Sequence, residues 1–345
     1  MTQIILPDFT RPAEQQMSLP LCYSESWLNV IARLYHYTVI PLTAKNAQGH
    51  LTGYLPLCLI SSRLTGRRLV SLPFSDHCPL LADDDASAHD LVDQAIRLAQ
   101  QQNVRYLELR TGAHDVLAQR PELREGNLYV RWLFPLTTDP EVVWSTVRKP
   151  VQHQVKKSRK LGVRAYIALR REEMADYYRL HVQTRMRQGM PAQPQRFFFA
   201  LWDTFAPGGA LKLLLAEYEG TVIAGMILLV SGTTVTYAYG ASDSNYLHLA
   251  PNNLLLWTTI EWGCMQGYQT LDLGRTARAN EGLMAFKERW GAVPEPLPYY
   301  YYPQMTGLAA TSESSARFHV LTACWKHLPV QIAGPLGGIL YRHLG

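Results

Sequence analysis

The chain has 345 residues, 47% of them apolar and 18% charged, with a formal net charge of +5. This length favours two domains, and the composition excludes a disordered or fibrous chain. The mild basic excess admits an anionic partner without requiring one. The N-terminus lacks a basic-then-apolar leader, and no apolar run reaches the roughly 18 residues of a membrane span. Five scattered cysteines form no C-x-x-C pair. The expectation is a cytoplasmic protein with reduced thiols, no disulfide framework and no metal site.

Residues 1–20 carry three prolines and read as an arm. From Ser24 to Tyr37, Trp27, Leu28, Ile31 and Leu34 fall at helical spacing. Val39–Ala44 and Thr52–Ile60 predict a hairpin around Gln48-Gly49. An apolar run at Leu69–Pro73 leads into the polar loop Ser75-Asp76-His77, followed by a helix at His89–Gln102 and strands at Val104–Leu109 and Leu128–Leu136. Asp139 and Pro140 suit the start of a helix, and Pro150 restarts it. After a helix at Glu172–Arg187, the runs Lys212–Glu217, Val222–Val230 and Thr234–Gly240 predict three antiparallel strands. A long helix, Asn252–Gln266, precedes a short strand, Leu271–Leu273, that Gly274 is expected to break. A polar loop with Arg275, Arg278, Asn280 and Glu281 leads to a helical turn carrying Phe286, Lys287 and Trp290.

The order strand, hairpin, strand, helix, strand occurs twice. Helix 89–102 leads to Tyr106-Leu-Glu-Leu-Arg-Thr111, and helix 252–266 leads to Thr270-Leu-Asp-Leu-Gly-Arg-Thr276. A tandem duplication follows, with expected domains at 1–140, joined by 304–345, and at 141–303. The second would open with a basic helix, because residues 148–164 contain no acid. There Lys149, Gln152, Lys156, Arg159 and Lys160 share roughly one helical face. Arg148, Lys149, Lys156, Lys157, Arg159 and Lys160 are the candidate phosphate- or RNA-binding set, the alternative being a solvated positive face. Tyr299–Tyr302 would alternate in a strand, two inward and two outward. Val330–Tyr341, apolar but broken by Pro335 and glycines, would dock on the body or touch a lipid surface.

The half-domain order, the glycines at 220 and 225, and the run LDLGR…AFKERWG at 271–291 resemble the GNAT acyltransferase superfamily. Within it they resemble the FemABX peptidyl transferases and their exopolysaccharide-associated relatives. The resemblance implies an α/β (α+β) fold of two GNAT-like domains, each a mixed, mainly antiparallel twisted sheet flanked by helices. It also implies amide-bond formation on a cell-envelope or exopolysaccharide precursor, from aminoacyl-tRNA or acyl-CoA, without metal or tightly bound cofactor, at the inner face of a membrane. The loop Asp243–Asn253 departs from the glycine pattern with which CoA-dependent members cradle a pyrophosphate.

The Phe286-Lys287 pair matches the Phe-Lys pair of the family, and Asp272, Gly274 and Arg275 match its acid-Gly-Arg strand end. Lys287 is then expected to stabilise the oxyanion, against the alternative of a surface lysine paired with Glu281 or Glu288. Arg275 is expected as an anion clamp, Asp272 as orienter or base, and Asp76 as a base candidate. Phe286, His77, Asn253 and Tyr239 complete the expected substrate-binding set. Two rival functions are a CoA-dependent N-acyltransferase of an amino sugar or small amine, and a non-catalytic RNA- or anionic-lipid-binding protein.

Overall fold

A computed structural model describes residues 20–303, 325 and 328–343. Most of the expected N-terminal arm and the stretch 304–324 therefore lie outside the described residues. In chain order come α1 (Glu25–Tyr35), β1 (Thr38–Lys45), β2 (Leu51–Ser62), β3 (Gly66–Val70), β4 (Leu81–Ala82), α2 (Asp85–Gln101), β5 (Tyr106–Leu109), α3 (Asp115–Ala118) and β6 (Arg124–Pro135). Then follow α4 (Pro140–Thr146), α5 (Lys149–Lys160), β7 (Arg164–Ile167), α6 (Met174–Arg187), α7 (Gln195–Phe205), β8 (Leu211–Tyr218), β9 (Thr221–Ser231), β10 (Thr234–Ser242), α8 (Pro251–Met265), β11 (Thr270–Ala277), α9 (Glu281–Trp290), β12 (Val293–Tyr302) and α10 (Val330–Tyr341).

The described residues fall into two compact units, the first drawn from Met1–Val130, Pro296–Ser315 and Arg342–Gly345, the second from Arg131–Glu295 and Ala316–Tyr341. The divide thus falls inside β6 and β12, where the expectation put it at 140 and 303. Helix α10 belongs with the second unit, not the first, because it packs on α6.

In the first unit β1, β2 and β3 pair antiparallel and β3 pairs parallel with β5, which pairs antiparallel with β12. The apolar stripe of α2 (Leu91, Val92, Ala95, Ala99) lies in one core with Leu42, Leu55, Leu57, Leu69, Leu107 and Tyr300. A bare Cα at Gly53 permits that approach, since a Cβ there would stand 2.9 Å from Leu91 Cδ1. The tyrosine run alternates as expected, yet both faces of β12 are covered. Tyr299 and Tyr301 pack with Leu297 and Tyr129, while Tyr300 enters the α2 core. No outward pair remains for a sugar ring, and Tyr302, half-buried, accepts a hydrogen bond from Gln100 at 2.8 Å.

In the second unit β7, β8, β9 and β10 pair antiparallel and β10 pairs parallel with β11. Neighbouring residues on β9 show which helix covers which face. Gly225 looks onto Tyr177 of α6, whereas Met226 Sδ accepts a hydrogen bond from Thr259 of α8 at 3.4 Å. Helix α5 packs on α8 and α10 on α6, so these two outer helices sit on opposite faces of the sheet.

The two units repeat one topology: β1-β2-β3-α2-β5 and β8-β9-β10-α8-β11. Leu69 pairs with Leu107 as Val235 pairs with Leu271. The acids Glu108 and Asp272 occupy equivalent positions in the two parallel ladders, opposite Val70 and Thr236.

Candidate active site

The parallel ladder of β10 and β11 has three pairs and ends at Thr236 and Asp272. Past it, β10 continues to Ser242 with a bulge between Tyr237 and Tyr239, while β11 continues to Ala277. Gly274 does not break β11, as the sequence suggested, because it turns through φ 70° while its amide is held by Asp272 Oδ1 at 2.8 Å. Asp272 Oδ2 in turn accepts from Arg131 Nε at 2.8 Å and Nη2 at 2.7 Å. Both carboxylate oxygens are thus engaged, and Asp272 is buried.

Helix α9 begins where Asn280 Oδ1 accepts from the Leu283 amide at 3.1 Å, and ends at Gly291 with φ 91°. Its buried face presents Lys287 and Trp290, three residues apart. Lys287 is 4% exposed, and its Nζ donates to the carbonyls of Gly274 at 3.0 Å and Arg275 at 3.3 Å. Burial sets aside the alternative of a surface lysine. An ammonium fixed on main-chain carbonyls, where two strands part, favours negative charge forming nearby. Arg275, whose carbonyl accepts from Lys287, and Phe286, its neighbour in sequence, are both half-buried.

The structure thus brings Asp272, Arg275 and Lys287 together and adds Arg131, which sequence reasoning missed. A lone arginine between Val130 and Trp132 in an apolar strand is the signal that marked it.

The remaining predicted residues lie on other elements. Tyr239 packs edge-on against Phe197 and Phe198 of α7, with centroids 6.0 and 5.4 Å away. Asn253 lies in the first turn of α8, which starts with Pro251 after Ala250 at φ 56°. Pro251 has no N–H, and the amides of Asn253 and Leu254 already meet the Ala250 carbonyl at 3.1 and 3.3 Å. That helix terminus therefore offers few donors to a pyrophosphate.

On α5, Lys149, Lys156, Lys157, Arg159 and Lys160 are exposed, as is Arg148 before it, whereas Gln152, on the same arc of the helix, is covered by the end of α4. Gln152 is buried and donates to the carbonyls of Trp144 at 2.7 Å and Val147 at 3.0 Å, tying α4 to α5. Arg159 pairs with Glu261 at 2.7 Å and Arg148 with Glu288 at 3.7 Å, and the Lys156 ammonium lies over the Trp144 ring.

Asp76 and His77 belong to the first unit. The Asp76 carbonyl accepts from Tyr299 Oη at 2.6 Å. His77 Nε2 donates to the Thr111 carbonyl at 3.0 Å and stands against the bare Cα of Gly112, at φ 73°. Here the chain closes the position that β10 and β11 leave open. Beyond β3, Ser71 donates its amide to the Glu108 carbonyl at 2.8 Å, and Cys78 donates its amide to the Arg110 carbonyl at 2.7 Å. The Arg110 guanidinium joins Glu108 at 2.6 Å to the carbonyls of Leu72 at 3.4 Å and Ser75 at 3.2 Å. One partly buried arginine thus laces the segment 71–78 onto β5.

Residues 145–288 match the family model of the acetyltransferase (GNAT) domain. Lipid II:glycine glycyltransferase of Staphylococcus aureus is 32% identical over 88 residues, 24% of this chain. The chain spans about a fifth of that relative's length, the match covering 21% of it. Among solved structures, FemX superimposes with a TM-score of 0.67 at 15% identity, over 84% of this chain and 93% of that one. L-PGS from Bacillus licheniformis does so with 0.57 at 13%, over 87% and 92%. A tandem GNAT protein from the clavulanic acid biosynthesis pathway gives 0.53 at 13%, over 84% and 92%.

Proposed function

We propose that this chain, a FemABX-like member of the GNAT superfamily, is an aminoacyltransferase that forms an amide bond on a cell-envelope or exopolysaccharide precursor. The observation that carries the proposal is the buried Lys287 ammonium, seated on the Gly274 and Arg275 carbonyls where β10 and β11 part. In the reaction an acceptor amine attacks the ester carbonyl of the donor and loses a proton. The carbonyl oxygen becomes an oxyanion, and the departing ribose hydroxyl regains a proton. Lys287 stabilises that oxyanion, and Arg275 clamps an anionic group of donor or acceptor. Asp272, with both oxygens occupied, acts as a positioning residue and not as the base.

Two features favour aminoacyl-tRNA over acyl-CoA as donor. The α8 terminus has few free amides for a pyrophosphate, and the exposed lysines of α5 suit a phosphate backbone. The test supplies tRNA charged with labelled amino acids together with nucleotide-linked and lipid-linked precursors, and follows label into the precursor. Transfer from charged tRNA supports the proposal. Saturable thermal stabilisation by acyl-CoA, with transfer from it alone, replaces it by the N-acyltransferase reading. Salt-sensitive RNA binding without transfer replaces it by the binding-protein reading.

A further inference from the structure

Helix α10 is a built part of the second unit. Its inner face is made of small residues: Ala333 is buried with Val182 and Ala192. Gly334 lies against Tyr178 and Val182, and a Cβ at Gly337 would stand 2.7 Å from the Ala192 amide nitrogen. Such close seating fixes which side faces out. That side carries Ile332, Pro335 and Ile339, with Leu336 and Leu340 half-buried at its margin. The spacing i, i+3, i+4, i+7, i+8 draws one continuous apolar stripe. Ile332 is 51% and Ile339 58% exposed, on a helix with no charged residue.

We infer that the α10 stripe lies on an anionic lipid surface, with the helix axis in the plane of the membrane. Three observations select lipid as the occupant. From Ala316 to Gly345 the sequence has no acid, and Arg342, directly after the helix, is exposed, which gives charge complementarity to acidic headgroups. No helix among the described residues is long and apolar enough to cross a membrane, so α10 meets lipid at the interface. Because α10 packs on α6 and α5 on α8, across the sheet from one another, a membrane under α10 leaves the lysines of α5 facing water. That back-to-back placement lets one unit meet a lipid surface and a soluble polyanion at once. The choice of lipid also rests on the proposed function only in that an envelope precursor is commonly presented on a membrane.

The experiment is cosedimentation of the full chain with phosphatidylglycerol-containing and pure phosphatidylcholine vesicles, using wild type and Ile332→Asn/Ile339→Asn. Circular dichroism and melting confirm that the variant is folded. Binding to the anionic vesicles that weakens about tenfold or more in the variant supports the inference. Absent wild-type binding, or equal binding by the variant, overturns it. So does a dimer in light scattering that the variant converts to monomer, since a second copy would then be the occupant. Vesicle binding is scored without any transfer assay, so it stands or falls apart from the proposed reaction.

Discussion

Replacing Lys287 with methionine separates catalysis from structure at the candidate site. The substitution keeps most of the stem and removes an ammonium that is 4% exposed and donates to two main-chain carbonyls at 3.0 and 3.3 Å. Each hydrogen bond from a charged donor contributes about 1.5–3 kcal/mol net, so two are worth roughly 3–6 kcal/mol. Against this, burying the charge costs several kcal/mol, which methionine does not incur. The two nearly cancel, leaving a stability change within about 2 kcal/mol, or a melting shift of roughly 4–8 °C at most in a unit of this size. Transfer should fall much further, by about 100- to 1,000-fold, the usual effect of removing one oxyanion-stabilising donor. The assay pairs thermal melting with single-turnover transfer from charged tRNA. A variant that melts far lower yet transfers normally would show that Lys287 only fastens α9 to β11. Alanine is the poorer probe, because it also opens a cavity under the buried face of α9.

Asp272→Asn should lower both stability, by about 3 kcal/mol, and turnover, because it removes the carboxylate charge that the Arg131 guanidinium grips through Nε and Nη2. In a double-mutant cycle with Arg131→Met the two effects should be strongly non-additive, and simple additivity in chemical denaturation would refute the pairing. His181, buried in α6 against Gln193 at 2.8 Å, has its pKa pushed down to about 3, chiefly by desolvation and further by Arg185. Its folded pKa lies below the unfolded value, so its stability contribution is complete above about pH 6.5 and is lost as pH falls towards 3, at about 1.4 kcal/mol per pH unit. The slope should flatten in His181→Gln, as read by denaturation across that window. Reversing Lys149, Lys156, Lys157 and Lys160 to glutamate should weaken tRNA binding and reduce the slope of log affinity against log salt by about one for each phosphate no longer neutralised. An unchanged salt slope would take α5 out of the interface.

Much of the fold was legible because its signals are local. The hairpins, the two long helices and the duplicated order all come from runs whose period the residues declare, and the repeat aligned the strand after α2 with the strand after α8. The candidate site was legible in part, since Asp272, Gly274, Arg275 and Lys287 sit within sixteen residues of one another. What escaped depends on partners distant in the chain. Arg131 reaches Asp272 across 141 positions, and nothing near either residue announces the other. The burial of Gln152 within a basic helix follows from the carbonyls that α4 leaves at its end, not from helical spacing. Gly274 was expected to stop its strand, yet a glycine inside a strand also marks a bend, and here the Asp272 carboxylate holds its amide through one.

The lacing of residues 71–78 by Arg110 gives the duplicated halves unequal futures. A copy whose strands are stitched shut at the reaction position is released from the demands of chemistry, and its sequence is free to drift towards scaffolding or recognition. In the other copy the parallel pairing stops at Thr236 and Asp272, and under the proposed function the constraint falls there. In the stitched half the Arg110 guanidinium is already committed to the Leu72 and Ser75 carbonyls, so an acid-glycine-arginine strand end transplanted there would meet a closed segment and not two separating strands.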